Sequence, residues 1–358
     1  MAYRYRQTLP DGALDIIGDV HGEMAALQSL LQHLGDDETG AHPQGRKLVF
    51  VGDLCDRGPD SPAVLAWFKQ AYDAGHALMV LGNHELNALV HEPKDGSGWF
   101  FPEREAKDAL NYAPWQTLPQ QQRPALEAWL AQQPLVLERA DLRIVHAAWL
   151  PERLAELDAA FGEPLVTQYR RYDAELVAQV ENAPWYADYL NEQAQYSEAA
   201  ENPHALPPPM PATARYELER SRLHPIRALT SGAERLADAP FYAGGRWRFT
   251  ARSAWWAHYH DAPAVVIGHY WRSWLPQPSA PHREDLLPEA GNAWHGARHN
   301  VFCVDFSAGA RWRARKKGAD PAASPFRLAA LRWPEQTLVF DNGETVMTEG
   351  LGTASASD

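Results

Sequence analysis

The sequence predicts an α/β fold, and three observations support that prediction. In the first third of the chain, short apolar runs alternate with helical segments in the order strand, loop, helix. Further short apolar runs return in the last third of the sequence. Hydrophobic residues make up 45% and charged residues 22% of the 358 residues, which is typical of a globular protein with a sizeable core. Together these observations favour a sheet covered by helices.

The first strand–helix–strand unit is defined by its periodicity and its end signals. Ala13–Ile17 is a short apolar run that predicts a strand. The segment Glu23–Leu34 predicts a helix that ends at Gly35, because leucines recur on one helical face at Leu27, Leu30, Leu31 and Leu34. Lys47–Val51 then predicts the second strand.

A second helix and a third strand follow in the same order. Ser61 and Pro62 predict the start of a helix, with Ser61 as the N-cap and Pro62 at the first helical position. The helix is expected to end near Gly75, and His76–Leu81 predicts the next strand. Later strands are predicted at 142–145, 264–267, 301–304, 327–331 and 337–340.

Residues 151–240 differ from the rest because they are mostly helical in composition and contain a proline-rich segment. We interpret them as a helical insertion or lid on a core whose two halves span 1–150 and 241–345. Trp, Tyr and Arg residues in and after this stretch make it the candidate for selecting a substrate. Residues 346–358 are predicted to form a flexible tail.

Charge and composition argue against several classes of partner. The net charge is −13 and the pI about 5.6, so no global positive field would attract nucleic acid or anionic lipid. The N-terminal residues lack the apolar core of a signal peptide, and no run approaches the roughly 18 apolar residues of a membrane span. Two cysteines suit a reducing compartment. We therefore expect a soluble cytoplasmic protein without membrane or nucleic-acid partners.

The residues that directly follow the predicted strands carry the strongest functional signal. Six strands are followed by Asp, Asn or His side chains, namely Asp19, Asp53, Asn83, His146, His269 and Asp305. In α/β sheets, ligands bind where the carboxyl ends of the strands meet. Mixed oxygen and nitrogen ligands suit Mn²⁺, Fe or Zn²⁺, and one shared carboxylate can bridge two cations.

Three motifs at these strand ends occur in order: GDVHG at 18–22, GDLCDRG at 52–58 and GNHE at 82–85. With them, and with the two later histidines, the chain resembles the phosphoprotein phosphatase family of calcineurin-like metallophosphoesterases, of bacterial type. The resemblance implies a hydrolase acting on phosphoric esters. It also implies a four-layer αββα sandwich of two mixed sheets.

The resemblance further implies a role for each ligand in a centre of two divalent metal ions, with Mn expected and Fe or Zn as alternatives. Asp19 and His21 would bind the first metal, and Asp53 would bridge the two. The second metal would be completed by Asn83, His146 and His269.

The same resemblance implies catalytic and substrate-binding roles. His84 would be the general acid, oriented by Asp56, because a leaving oxygen needs a proton. Arg57, together with Asn83, would hold the phosphate, whose geometry a guanidinium matches. Members of the family place a second phosphate-binding arginine upstream of the last histidine, and here the choice is open among Arg246, Arg248 and Arg252.

Three functions remain open on the sequence alone. The leading expectation is hydrolysis of phosphate monoesters by metal-activated water, as in a Ser/Thr protein phosphatase, on a phosphorylated protein or a small phosphoester. The alternative is hydrolysis of a dinucleoside polyphosphate such as diadenosine tetraphosphate. A metal-binding scaffold without catalytic activity is the third hypothesis.

Overall fold

The structure is a computed structural model that describes residues 2–243, 245–274 and 286–352. The chain divides into two compact units. The smaller unit is built around Ala148–Trp255, and the larger unit contains Arg4–Ala147 together with the C-terminal part of the chain. Within the described ranges, none of the helices has the length and apolar character needed to cross a membrane.

The strands of the larger unit form two sheets. They are β1 (Arg6–Thr8), β2 (Leu14–Ile17), β3 (Lys47–Phe50), β4 (Ala77–Met79), β5 (Val136–Glu138), β6 (Leu142–Val145), β9 (Ala264–Ile267), β10 (Val301–Cys303), β11 (Ala329–Trp333), β12 (Thr337–Phe340) and β13 (Thr345–Met347). The six-stranded sheet has the order β13-β12-β11-β2-β3-β4, and the five-stranded sheet has the order β1-β5-β6-β9-β10.

Each sheet contains one set of three adjacent parallel strands. In the six-stranded sheet β2, β3 and β4 are parallel, whereas β11, β12 and β13 are antiparallel to their neighbours. In the five-stranded sheet β6, β9 and β10 are parallel, and β5 runs antiparallel to β6. Both sheets are therefore mixed, as the sequence analysis predicts.

One hydrophobic core joins the two sheets face to face. It contains side chains from the six-stranded sheet and from the five-stranded sheet, among them Leu14, Ile16, Val49, Leu331, Phe340, Leu137, Ile144, Val266 and Phe302. Alternate residues of β2 and of β6 point into this core, which is the two-residue period expected of a strand. The predicted fold class, α/β with two mixed sheets, is confirmed.

The helices of the larger unit are α1 (Met24–Leu34), α2 (Ser61–Asp73), α3 (Asn83–Val90), α4 (Glu105–Asp108), α5 (Arg123–Leu130) and α11 (Trp312–Lys316). The helix α1 packs on β12 and α2 packs on β4. The predicted C-cap of α1, Gly35, adopts the left-handed conformation that ends a helix.

One helix start differs from the prediction. The N-cap of α2 is Asp60, whose carboxylate accepts a hydrogen bond from the backbone amide of Ala63 at 3.0 Å. Ser61 instead lies inside the helix, and its hydroxyl accepts a hydrogen bond from the amide of Asp56. Asp60 is the residue just before the helix, and from that position its carboxylate reaches the otherwise free amide of Ala63.

The smaller unit contains α6 (Pro151–Ala159), α7 (Leu165–Val180), α8 (Tyr186–Tyr196), α9 (Pro211–Leu223) and α10 (Pro225–Ser231). It also contains an antiparallel hairpin of β7 (Glu234–Ala243) and β8 (Arg246–Arg252), which the sequence analysis did not predict. The domain boundaries given above stay a prediction.

The first two residues of the predicted tail, 346–358, belong to a strand. Thr345–Met347 form β13, which pairs with β12 in antiparallel register. A β-branched pair, Thr345 and Val346, suits such an edge strand. Residues 353–358 of the predicted tail lie outside the described residues.

Candidate metal centre

The two sets of parallel strands bring their following residues together. β2, β3 and β4 lead to Asp19, Asp53 and Asn83 in one sheet, and β6 and β9 lead to His146 and His269 in the other. Because parallel strands end at the same edge, three segments from one sheet and two from the other converge on one region. The convergence predicted from the strand ends is thus the arrangement observed.

Asp53 lies at the middle of this region. Its Oδ2 atom is 3.8 Å from His21 Nε2, 3.8 Å from His84 Nε2 and 3.3 Å from His146 Nε2. Its Oδ1 atom accepts a hydrogen bond from the amide of His84 at 3.0 Å, which holds the carboxylate in place. One oxygen of Asp53 therefore faces three imidazoles.

Two groups of side chains in the described part of the chain have the spacing of metal ligands, and they share Asp53. The first is His21, Asp53 and His84, and the second is Asp53, His146 and His269, with ligand atoms within 4.8 Å of one another. Asn83 adjoins the second group, because its Oδ1 lies 3.3 Å from His146 Nε2.

Asp19, predicted as a ligand of the first metal, falls outside both groups but contacts the second. Its Oδ2 accepts a hydrogen bond from the amide of His269 at 3.0 Å. Its Oδ1 is buried and has no hydrogen-bond partner among the described residues. A buried carboxylate oxygen without a partner is costly, and a bound cation would satisfy it.

Backbone carbonyls orient two of the histidines. His146 Nδ1 lies 2.7 Å from the carbonyl oxygen of Val51, and His21 Nδ1 lies 2.9 Å from that of Cys55. A carbonyl can only accept, so each Nδ1 carries the proton and donates it. Each Nε2 then presents its lone pair toward Asp53, which is the usual arrangement of a metal-binding histidine.

The electrostatics of the centre suit a cation. Burial raises the pKa of Asp19 well above its ordinary value, and the charges of Asp305 and Asp53 raise it further. Burial lowers the pKa of His21 well below its ordinary value, and Arg57 lowers it further, so the ring stays neutral and can bind a metal. The donor set therefore fits divalent ions with oxygen and nitrogen ligands.

Glu85 holds the backbone that carries Asp53, although the sequence analysis gave Glu85 no role. Its carboxylate accepts hydrogen bonds from the amides of Asp53 at 2.9 Å, Leu54 at 2.7 Å and Gly82 at 3.0 Å. It is fully buried. Glu85 thus ties the ends of β3 and β4 together, and its place in the GNHE motif was the available signal.

His84 and Asp56 form the predicted pair. His84 Nδ1 lies 2.5 Å from Asp56 Oδ2, so the imidazole is held by the carboxylate. The other oxygen of Asp56 accepts a hydrogen bond from the indole Nε1 of Trp99, also at 2.5 Å. All three side chains are at least 95% buried, with Trp99 exposed by only 2%. The sequence analysis did not identify Trp99.

Arg57 lies next to the same centre. Its Nη1 is 2.9 Å from His21 Nε2, and its guanidinium stacks on Trp271 at 4.8 Å from the ring centroid. The amide of Trp271 donates to Asp305 Oδ2 at 2.8 Å. Asp305 therefore supports the segment that carries the stacking ring.

Left-handed backbone angles concentrate here. Positive φ angles occur at His21 (48°), Asp53 (53°), Asp56 (72°), Arg57 (67°) and His269 (70°). Such angles are uncommon for residues other than glycine and mark functional sites when they cluster.

The three candidate arginines of the second phosphate contact lie on β8 in the smaller unit. Arg246 is 3.8 Å from Glu217, and Arg248 donates to the carbonyl of Ala243 at 3.2 Å. Burial lowers the pKa of Arg248. Their role, and that of Arg252, stays a prediction.

Comparison with known proteins agrees with this geometry. The chain is 47% identical over 75 residues to the bis(5'-nucleosyl)-tetraphosphatase PrpE (asymmetrical) of Bacillus velezensis, covering 20% of this chain and 30% of that protein. It is 35% identical over 167 residues to a symmetrical bis(5'-nucleosyl)-tetraphosphatase of Chromobacterium violaceum, covering 45% and 53%. A symmetrical bis(5'-nucleosyl)-tetraphosphatase of Shewanella sp. is 34% identical over 187 residues, covering 52% and 57%.

The chain thus spans between 30% and 57% of the length of these three relatives. Residues 13–178 match the family model of the calcineurin-like phosphoesterases. That range includes all three motifs, the pair of His84 and Asp56, and His146. This part of the chain is similar to the calcineurin-like phosphoesterases.

Proposed function

We propose that the chain is a metal-dependent phosphoesterase whose preferred substrate is a dinucleoside polyphosphate. The single observation that carries the reaction type is the position of Asp53 between His21 on one side and His146 and His269 on the other, beside Arg57 and the pair of His84 and Asp56. The substrate class is supported by the names of the relatives, which are bis(5'-nucleosyl)-tetraphosphatases.

The residues that would hold two divalent ions are Asp19, His21, Asp53, Asn83, His146 and His269. When bound, such a pair of ions polarises the phosphate and makes water a better nucleophile near neutral pH. His21 and His146 offer Nε2, since their Nδ1 atoms donate to carbonyls. Asp53 would contribute to both ions.

The remaining side chains bind the phosphate and handle the proton. The guanidinium of Arg57 matches the oxygens of a phosphate, and its stacking on Trp271 limits its freedom before the substrate arrives. His84 Nδ1 faces Asp56 Oδ2, so the Nε2 side of the ring is the one that would give a proton to the leaving oxygen. Asp56 keeps that ring aimed.

The two other functions have weaker support. A protein phosphatase acting on phosphoserine or phosphothreonine would use the same groups, but the relatives favour the nucleotide alternative over this leading expectation from the sequence. A scaffold without catalytic activity has no need of the pair of His84 and Asp56 or of Arg57 beside the ligands.

The test is hydrolysis by metal-stripped protein to which Mn²⁺ is returned. We would assay p-nitrophenyl phosphate, a phosphothreonine peptide and diadenosine tetraphosphate in parallel. The proposal predicts metal-dependent turnover with the highest kcat/KM on diadenosine tetraphosphate. A higher kcat/KM on the peptide would reverse the order of the substrates, and no turnover with metal demonstrably bound would favour the scaffold.

A further inference from the structure

One segment, Gly96–Trp99, contacts both members of the Asp56–Arg57 pair. Trp99 Nε1 donates to Asp56 Oδ1 at 2.5 Å, and the amide of Arg57 donates to the carbonyl of Gly96 at 3.0 Å. Both Asp56 and Arg57 have left-handed backbone angles, which need support from their surroundings. The segment provides a side-chain contact for one and a backbone contact for the other.

Trp99 itself is firmly placed. Its carbonyl accepts a hydrogen bond from the amide of Leu118 at 3.0 Å, and its ring packs against Phe100 with centroids 5.2 Å apart. Only 2% of the surface of Trp99 is exposed, so its ring is shielded from solvent. The position of the donor is therefore set by packing and by the backbone, independently of Asp56.

A carboxylate with one anchored oxygen can rotate about its terminal torsion, which has a broad energy minimum. Asp56 has its Oδ2 on His84 and its Oδ1 on Trp99. The second contact removes that rotation. It also compensates for the burial of Asp56, which is 2% exposed.

We propose that Trp99 is a positioning residue for the proposed reaction, because its indole N–H locks Asp56 in the orientation that aims His84 at the leaving oxygen. The inference rests on the proposed function. It assigns a role to a residue outside the three motifs and outside the ligand groups.

The kinetic test compares Trp99→Phe with wild type on two esters that differ in the basicity of their leaving groups. Phenolate from phenyl phosphate needs a proton, whereas dinitrophenolate leaves without one. We expect kcat for phenyl phosphate to fall about 10- to 100-fold, because misaligning a general acid loses part of the rate enhancement that it provides. We expect kcat for dinitrophenyl phosphate to change less than about threefold. KM is expected to stay the same for both.

A matched control is Trp333→Phe. The indole of Trp333 also donates to a carboxylate, that of Asp141 at 2.8 Å, and the side chain is 6% exposed. This variant loses the same kind of bond elsewhere in the larger unit and is expected to leave both kcat values unchanged. Equal losses on the two esters in Trp99→Phe, or no loss on either, would overturn the proposal.

A second measurement needs no activity. In nitrogen-15 spectra of the metal-free protein, the indole signal that disappears in Trp99→Phe identifies Trp99. We expect Asp56→Asn to move that signal upfield while the signal of Trp333 stays in place, and an unmoved Trp99 signal would overturn the contact. If wild type with Mn²⁺ hydrolyses neither these esters nor diadenosine tetraphosphate, the proposed function fails, whereas the spectra still decide whether Trp99 holds Asp56.

Discussion

The proposed function gives single residues of the centre separate tasks, because binding a metal and moving a proton would depend on different atoms. His84→Asn removes the imidazole but leaves Asp53, His21, His146 and His269 in place. We expect the variant to bind Mn²⁺ and to lose about 10²- to 10⁴-fold in kcat, the usual contribution of a general acid. Metal analysis and steady-state kinetics on the same preparation check both parts. Full activity would remove His84 from the mechanism.

Asp53→Asn is expected to weaken metal binding itself, unlike His84→Asn. The oxygen that faces His21, His84 and His146 becomes part of a neutral amide, so neither group of ligands keeps its shared carboxylate. We expect Mn²⁺ affinity to fall at least about tenfold at both sites, since removing one charged ligand costs more than 1.4 kcal/mol. Calorimetric titration with Mn²⁺ measures this directly, and binding equal to wild type would contradict the bridging role.

Arg57→Lys tests recognition of the phosphate. Lysine keeps the charge but loses the planar fork and the stacking on Trp271. We expect KM for p-nitrophenyl phosphate to rise about tenfold, equivalent to the loss of one charge-assisted hydrogen bond. Arg139→Lys is a control, because Arg139 pairs with Asp141 and with the carbonyls of Pro10 and Gly12. An unchanged KM in Arg57→Lys would show that Arg57 does not contact the substrate.

At this scale the sequence predicts which side chains lie close to Asp53, because residues that follow strands can be identified by their type and order. Trp99 cannot be identified in this way. It lies in the stretch between α3 and β5, which has no clear periodicity, and its importance comes from a contact with Asp56 that is 43 positions away. Contacts of this kind depend on tertiary packing.

At the scale of elements, the turn after β9 is packed against the turn after β2. A Cβ atom on Gly268 would lie 2.1 Å from Asp19 Oδ1 and 2.7 Å from Val51 Cγ2. Gly268→Ala must therefore displace Asp19 or the strand end itself. We expect Mn²⁺ affinity to fall at least about tenfold while the metal-free protein still folds. Calorimetry and circular dichroism check the two parts, and wild-type affinity would mean that the turn yields without moving Asp19.

Elements with a regular period were predictable, and those formed by pairing alone were not. Strands β2, β3, β6 and β9 follow from short apolar runs between turn signals. The β7–β8 hairpin contains four arginines, and most of its residues are half-buried or exposed rather than alternating between buried and exposed. Its strands pair with each other instead of with a larger sheet, so no strong hydrophobic pattern marks them.

For the molecule as a whole, Asp36 makes stability depend on pH. Burial raises its pKa from the ordinary value to about 7, and the charge of Asp15 raises it further. Neither oxygen has a hydrogen-bond partner within the described ranges. Between about pH 4 and 7 the unfolded chain is ionised while the folded one holds a proton, so stability falls as pH rises through this window.

Asp36→Asn should remove that dependence. We expect it to stabilise the protein by about 1 kcal/mol at about pH 8, a value reduced to allow for the partial exposure of the side chain. The gain should fade toward pH 4, where the folded and unfolded wild type are both protonated. Urea unfolding of both proteins across this range is the measurement. A gain of the same size at every pH would exclude ionisation of Asp36 as its cause.

The antiparallel pairing of β2 with β11 has a bearing on synthesis. On the ribosome, β2 emerges about three hundred residues before β11 covers its edge, and Asp19 emerges 250 residues before the amide of His269 that binds it. The nascent chain therefore carries an open strand edge until the segment that contains β11 has been made. We expect chaperones that shield such edges to engage this chain during synthesis, and the proposed ligands to come together only after His269 has been made.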